Sequence, residues 1–337
     1  MRIDVINPWG RDAAIDWRNG LPPPGAPGHP PINYWAWAAA TGGAFHQTPD
    51  TVTSDTDAVV QLLRWRGGVN LRALKQMKAR GLRVFVTWKE SGVEQIAGQL
   101  RWPWRRSALR AVLQLADGAI ATTEPGRQHY RDYGLPPEKI HFIPTPYPIG
   151  EPGWDFTRPL AERAGIVVGT RQFDVPSRRH AEALHLAGEI ARAAGCAVTI
   201  FNPEGERGRP RVLRHLGFAP EIRWIERRLP YPEFLAELAQ HRLVIQRDAG
   251  WVPGQIAGDA LLCGLINIGG NGATQRLAFP NTAEPEADDA TLLSSAATLM
   301  RDDAAFIKAV EDARNRAEAT GLSYRSGREK WAALLNA

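Results

Sequence analysis

The sequence predicts an α/β protein with two domains, each built around a parallel β-sheet that is covered by helices on both faces. Its 337 residues exceed what one ordinary hydrophobic core organises and suit two domains. Short, nearly continuous apolar segments alternate with amphipathic helical segments, which is typical of parallel strands buried on both faces. The alternation stops at residues 144–159, which contain five prolines and two glycines, and then starts again. We therefore expect a linker between two α/β halves.

The first half contains one clear helix–strand unit. Asn70 can cap a helix whose apolar residues recur at helical spacing, and Gly81 ends that helix. The other elements predicted in this half are a first strand at 1–7, a short helix at Trp35–Trp37, strands at 82–88, 118–122 and 139–143, and helices near 106–116 and 124–132.

The second half repeats the pattern. Its predicted strands are 166–169, 197–201, 222–225, 243–246 and 265–268, and its predicted helices are 177–194, 209–217, 231–240, 255–263, 302–320 and 323–335. The expected domains are residues 1–150 and 160–302, followed by C-terminal helices over 303–337.

Composition limits the class of protein. Hydrophobic residues make up 44% and charged residues 23% of the chain, so it is expected to fold rather than to be disordered. The net charge of +5 favours an anionic ligand such as a nucleotide diphosphate, a lipid headgroup or nucleic acid. Cys196 and Cys263 lie far apart without metal-ligand spacing, so we expect two buried, reduced thiols and no metal site.

The first residues, 1–7, alternate apolar and polar side chains and lack the basic and apolar regions of a signal peptide. No apolar stretch in the sequence is long enough to span a bilayer. A cytoplasmic protein without a transmembrane segment is therefore expected, and its oligomeric state is not predicted.

Three segments resemble the GT-B glycosyltransferases, particularly the retaining family four (glycosyl transferases group 1). The first comprises 116–123, the Gly-Leu-Pro-Pro-Glu-Lys-Ile run at 134–140 and Ile143–Pro146; the others are Gly169–Arg171 and Pro253–Gly264. The resemblance implies two Rossmann-like domains facing a central cleft, with the C-terminal helices returning to the N-terminal domain. It also implies transfer of a hexosyl group from a nucleotide-sugar such as a UDP-sugar to an acceptor hydroxyl, without a metal or another cofactor.

The Pro253–Gly264 segment is the most specific of the three. Gly254 at a helix start lets backbone N–H groups approach a phosphate, and Asp259, about one and a half turns later, can accept hydrogen bonds from ribose hydroxyls. Where the family pattern has a Glu that contacts the transferred sugar, this chain has Trp251, which makes a retaining outcome doubtful; Asp248 can substitute if the loop bulges. The donor-site residues expected from the resemblance are Gly169, Thr170, Arg171, Arg178, Trp251, Pro253, Gly254, Gln255 and Asp259.

Candidate catalytic residues lie in both halves. Arg171 follows an apolar strand and can neutralise the leaving diphosphate, while Glu90, which follows the strand at 82–88, can act as a base or cap a helix. The proline-rich and glycine-rich loop at 7–32 is expected at the acceptor side, and its candidates are Asp12, Asp16, Arg11 and His29, with Asp16 chosen as the catalytic one. His46 is expected to be structural.

The sequence does not distinguish between a glycan, a lipid-linked molecule and a small molecule as the acceptor. The Arg-Trp-Pro-Trp-Arg-Arg run at 101–106 also fits a DNA-modifying glycosyltransferase that acts on a hydroxymethylated base, as in phages. A nucleotide-sugar epimerase shares the twin-domain plan. The absent acid at Trp251 fits an inactive nucleotide-binding module.

Overall fold

The computed structural model describes residues 1–64, 67–89, 92–169, 173–216, 221–284 and 287–337. Contacts divide the chain into two compact units. The first unit consists of Met1–Pro148, Trp251–Pro253 and Gly321–Ala337, and the second of Ile149–Gly250 and Gly254–Thr320. Each unit has its own sheet, so the α/β prediction is confirmed.

The described part of the first unit's sheet contains the strands β1 Ile3–Ile6, β2 Ile15–Asp16, β3 Ala44–His46, β4 Ala58–Leu63, β5 Val84–Trp88, β6 Gly118–Ala121 and β7 Ile140–Phe142. These strands lie in the order β2-β3-β1-β4-β5-β6-β7. Among the described strand pairs, β2–β3 is antiparallel and the others are parallel. The helices of this unit are α1 Trp35–Thr41, α2 Gly67–Ala79, α3 Val93–Leu100, α4 Pro103–Leu115, α5 Arg127–Asp132 and α13 Tyr324–Asn336.

The strands described in the second unit's sheet are β8 Ile166–Val168, β9 Val198–Phe201, β10 Ile222–Ile225, β11 Leu243–Ile245 and β12 Ile266–Ile268. They are parallel and lie in the order β10-β9-β8-β11-β12. The helices are α6 His180–Ala194, α7 Arg209–Leu216, α8 Tyr231–Leu238, α9 Gln255–Cys263, α10 Ala273–Ala278, α11 Asp289–Arg301 and α12 Asp303–Thr320. This strand order reverses direction between β8 and β11, which makes a Rossmann-like switch point at that position.

The capping role predicted for Asn70 is wrong, because Asn70 lies inside α2. Its side-chain amide donates to the Arg64 carbonyl at 2.8 Å, and its backbone carbonyl accepts from Gln61 Nε2 at 2.9 Å. Asn70 therefore joins α2 to β4, a strand that the sequence pattern did not reveal because Gln61 interrupts its apolar run.

The predicted C-terminal helical segment, 303–337, divides between the units at Gly321. In the second unit α12 packs against α10 and α11. In the first unit α13 buries Trp331, whose ring lies edge-on to Trp37 at 6.2 Å and to Phe85 at 6.0 Å. Only α13 therefore joins the unit that contains the N-terminal sheet.

Trp37 and Trp331 are two of the large side chains that fill the first unit's core. Asp4 and His46 are buried beside each other, with His46 Nε2 3.1 Å from Asp4 Oδ2, which agrees with a structural role for His46. No helix among the described residues is long and apolar enough to cross a membrane.

Candidate functional site

The switch point of the second unit lies between the carboxyl ends of β8 and β11, the edge at which open α/β sheets bind ligands. Gly169 follows β8 directly. A Cβ atom at this position would lie 2.7 Å from Ile256 Cγ2 and 2.9 Å from Val244 Cγ2. Glycine is therefore required for α9 to approach the end of β8.

The predicted glycine turn opens α9. Gly254 is the N-cap residue, has a φ of +89°, and provides no side-chain cap. A Cβ atom here would clash with Gln275 Oε1 and lie 3.3 Å from Thr274 Cβ. The start of α9 thus combines a helix N-terminus with a turn that only glycine fits without strain, an arrangement suited to an anion.

Gln275 supports this turn and was missed by sequence reasoning. It is fully buried in α10, and its Nε2 donates to Gln246 Oε1, just after β11, at 3.0 Å. Its Oε1 makes no hydrogen bond within the described part of the chain. The glycines that precede α10, at 269, 270 and 272, are the sequence signal that marks a second close turn at this edge.

Asp259 is fully buried on α9. Its Oδ1 accepts a hydrogen bond from the Tyr231 hydroxyl at 2.6 Å, while its Oδ2 has no hydrogen-bond partner among the described residues. Burial raises the pKa of Asp259 to about 7, against the lowering effects of side-chain hydrogen bonds from Tyr231 and Gln255. A buried carboxylate oxygen without a partner is costly, so this atom is suited to accept donors from a ligand.

This raised pKa makes stability depend on pH. In the unfolded chain the carboxyl ionises near its ordinary pKa of 3.8, whereas in the folded protein it stays protonated up to about pH 7. The contribution of Asp259 to stability is therefore fully present below about pH 4 and is lost as pH rises to about 7. As pH rises from about 4 to about 7, the unfolding free energy of Asp259→Asn is expected to increase relative to that of the unsubstituted protein, as measured by urea denaturation. Parallel stability curves would contradict the raised pKa.

Arg178 and Asp248 form an ion pair at the same edge. Asp248 is fully buried, and its Oδ1 also accepts the Gly250 backbone N–H at 2.7 Å. The Asp248 carboxylate is thus occupied by groups of its own unit, which does not favour its use as a substitute for the acid missing at Trp251. Arg178 is a cation at the switch point whose position is fixed by this pair.

Three predicted residues, Glu90, Thr170 and Arg171, lie outside the described residues. Trp251 and Pro253 belong to the first unit, whereas Gly169, Arg178, Gly254, Gln255 and Asp259 belong to the second. Trp251 is half-buried and has a φ of +49°, in the left-handed region that non-glycine residues rarely adopt.

A polar cluster lies at the carboxyl edge of the first unit's sheet. Asp12 Oδ2 accepts from Lys89 Nζ at 2.8 Å and from Asn7 Nδ2 at 2.5 Å. Asn7 follows β1 and Lys89 follows β5, and neither was singled out from the sequence. Burial pushes the pKa of Asp12 up, but the hydrogen bonds from Lys89 and Asn7 outweigh it and hold the pKa below its ordinary value.

The other acceptor-side candidates lie in different surroundings. Asp16 is exposed on the edge strand β2, where Arg18 Nε donates to it at 2.8 Å and lowers its pKa. A carboxylate stabilised in this way is a weak base. The His29 ring stacks on Trp35 with centroids 3.5 Å apart, and burial lowers the pKa of His29. Arg11 is exposed.

Within the described residues there is no group of three or more His, Cys, Asp or Glu side chains that could hold a metal ion.

Comparison with known proteins shows what these two units resemble. Residues 3–150 match the family model described as Glycosyltransferase Family 4. The structure also aligns with HepE from Anabaena, solved in complex with UDP and glucose, at a TM-score of 0.57 and 14% identity, covering 83% of this chain and 78% of that one. The chain has the GT-B fold.

Two further GT-B structures align over most of the chain. Sucrose-phosphate synthase from Thermosynechococcus elongatus covers 99% of this chain and 98% of its own, with 14% identity and a TM-score of 0.58. A UDP-forming α,α-trehalose-phosphate synthase from Burkholderia vietnamiensis covers 85% and 72%, with 12% identity and a TM-score of 0.57. No curated protein sequence matches the chain. The GT-B resemblance inferred from residues 116–264 is thus confirmed at the level of the fold, and the family match falls on the N-terminal half.

Proposed function

We propose that the protein transfers a hexosyl group from a nucleotide-sugar, of which UDP-sugars are the favoured class, to an acceptor hydroxyl group. The GT-B fold and the family 4 match over residues 3–150 support a glycosyltransferase, and HepE, which shares the fold, was solved with UDP and glucose. The observation that carries the proposal is the buried Asp259 with its unpartnered Oδ2, placed on the helix that the Gly254 turn opens.

The spacing of these two groups suits a nucleoside diphosphate. Asp259 lies five positions after Gly254, which is about 7.5 Å of rise along α9. In the proposed complex the N–H groups at the start of α9 bind the diphosphate, and Asp259 accepts hydrogen bonds from the ribose hydroxyls. The helix dipole then stabilises the charge that develops on the departing diphosphate.

The positive groups of the site complete the proposed mechanism. Arg178, fixed by Asp248, adds charge at the switch point, and Arg171 remains the residue predicted to neutralise the leaving group. The acceptor oxygen attacks the anomeric carbon as the bond to the diphosphate breaks, without a metal ion. The acceptor's proton passes to a base, for which Glu90 remains the sequence-based candidate.

The cluster of Asp12, Asn7 and Lys89 supports an acceptor role for the first unit. These side chains are held at the carboxyl edge of its sheet and offer both donors and an ionised acceptor to a hydroxylated molecule. We propose that they orient the acceptor, which can be a glycan, a lipid-linked molecule or a small molecule. A cytoplasmic location, where thiols stay reduced, fits the two free cysteines Cys196 and Cys263.

Turnover of UDP-sugars tests the proposal. We expect UDP release from at least one UDP-sugar, accelerated by an acceptor from a panel of sugars, glycerol derivatives and lipid-linked saccharides, and lost in Asp259→Asn. An epimerase would convert the sugar without acceptor-dependent UDP release, and an inactive module would bind UDP without releasing it from any donor. Either result would contradict the proposal.

A further inference from the structure

An exposed aromatic and basic surface lies where α3 meets α4 in the first unit. It consists of Arg101, Trp102, Pro103 and Trp104, together with Arg110, which is exposed further along α4 with its guanidinium over the Tyr133 ring at 5.6 Å; we call it the Trp-Arg patch. Trp102 is 38% and Trp104 62% exposed. Neither indole ring belongs to the first unit's hydrophobic core clusters, and the candidate site does not use them. A surface of this kind is typical of an interaction site.

The geometry of the rings limits what they can bind. Trp102 and Trp104 are stacked on each other with centroids 4.8 Å apart, and the Arg101 guanidinium lies over Trp102 at 5.0 Å. Trp102 therefore stacks on side chains of its own surface. A single-stranded nucleic acid needs successive free ring faces on which its bases stack, which this pair does not offer. The ring edges and Pro103 instead form a small apolar projection.

The charged residues of α4 and of the segment that leads into it are all basic. No Asp or Glu occurs between Glu94 and Asp117, whereas four arginines lie in that interval. The Arg105 side chain donates to the Gln99 carbonyl at 3.4 Å, and the Arg106 side chain donates to the Arg101 carbonyl at 3.3 Å. The acceptors in these two bonds are backbone oxygens. An apolar tip surrounded by arginines is complementary to an anionic lipid surface, where indole rings enter the headgroup region and arginines meet phosphates.

We propose that the Trp-Arg patch docks the protein on anionic lipid bilayers. Trp102, Pro103 and Trp104 insert at the level of the headgroups, and Arg101 and Arg110 contact lipid phosphates. Binding of a protein to a bilayer surface is strengthened both by burial of apolar area and by attraction to anionic lipids, so it requires the tryptophans and the arginines of the Trp-Arg patch. The proposal does not depend on the proposed transferase activity.

Vesicle flotation of the full chain tests it. The probes are vesicles of phosphatidylcholine alone and of phosphatidylcholine mixed with phosphatidylglycerol. We expect binding to the mixed vesicles only, weakened about tenfold or more by Trp102→Ala with Trp104→Ala and also by Arg101→Gln with Arg110→Gln. High salt should weaken binding of the unsubstituted protein. Because all four side chains are exposed, the variants should unfold at the same temperature as the unsubstituted protein.

Matched controls remove exposed residues of the second unit. Leu213→Ala with Ile307→Ala removes two exposed apolar side chains, and Arg207→Gln with Arg228→Gln removes two exposed charges. These variants should bind like the unsubstituted protein. The proposal is overturned if mixed vesicles are not bound, if patch and control variants bind equally, or if a single-stranded oligodeoxythymidine is bound more tightly than vesicles and lost with the same patch variants.

Discussion

Replacing Asp259 with alanine is expected to weaken UDP binding about 30-fold or more while the protein stays folded. Two ribose hydroxyls donating to a buried carboxylate form charge-assisted hydrogen bonds, each contributing about 1.5–3 kcal/mol, so removing their acceptor has a large effect on affinity. The fold should survive, because the carboxyl is buried with a pKa of about 7 and its removal relieves a desolvation cost. Isothermal titration with UDP measures the affinity, and thermal unfolding checks the fold.

Two further variants make this expectation specific. Tyr231→Phe keeps the carboxylate but removes the hydroxyl that donates to Oδ1, so a smaller loss of affinity is expected. Asp312→Ala removes an exposed acid of the same unit, paired with Lys308 on the surface, and should leave UDP binding unchanged. Equal UDP affinity in Asp259→Ala and Asp312→Ala would show that Asp259 does not contact the nucleotide.

Replacing Gly254 with alanine is expected to reduce turnover of the UDP-sugar about 100-fold. Alanine at a φ of +89° costs about 1–2 kcal/mol, and its Cβ would in addition clash with the buried Gln275 Oε1. The start of α9 must therefore shift, which moves its N–H groups away from the diphosphate. Steady-state kinetics should show the loss, together with a lower unfolding temperature.

A second substitution tests the physical reason for that loss. Adding Gln275→Ala to the Gly254→Ala variant opens the space that the new Cβ needs. We therefore expect the double variant to recover part of the lost turnover, so that the effects of the two substitutions are not additive. Gly98→Ala in α3, where nothing lies within 4 Å of an added Cβ, should leave turnover unchanged. If Gly254→Ala were as active as Gly98→Ala, the turn would not be part of the site.

Local patterns predicted most of the second unit. The strand at 222–225 and the helices at 231–238 and 255–263 follow from hydrophobic periodicity and from their flanking glycines and prolines, which are features of neighbouring residues. The element β4 was missed because Gln61, a polar residue, is buried in it and donates to the backbone of α2. Periodicity cannot reveal a polar group that is buried because of a partner nine residues away.

Contacts between distant residues explain what was missed in the candidate sites. Asp12 was a candidate, but its partner Lys89 lies 77 positions further along the chain, and only the parallel sheet brings the two together. Asp248 pairs with Arg178 over 70 positions, so its carboxylate is occupied in a way that the loop sequence does not indicate. By contrast, Gly254 and Asp259 share one helix, which is why their relation could be predicted.

The pH dependence of UDP binding tests the role of Asp259 most directly. If the ribose hydroxyls bind the ionised carboxylate, its pKa of about 7 in the free protein makes affinity rise about tenfold between about pH 6 and about pH 8. Asp259→Asn has no such group and should show only the titration of UDP itself. The ratio of the UDP affinity of the unsubstituted protein to that of Asp259→Asn is expected to rise about tenfold between about pH 6 and about pH 8, as measured by isothermal titration. A ratio that does not change with pH would contradict nucleotide binding at Asp259.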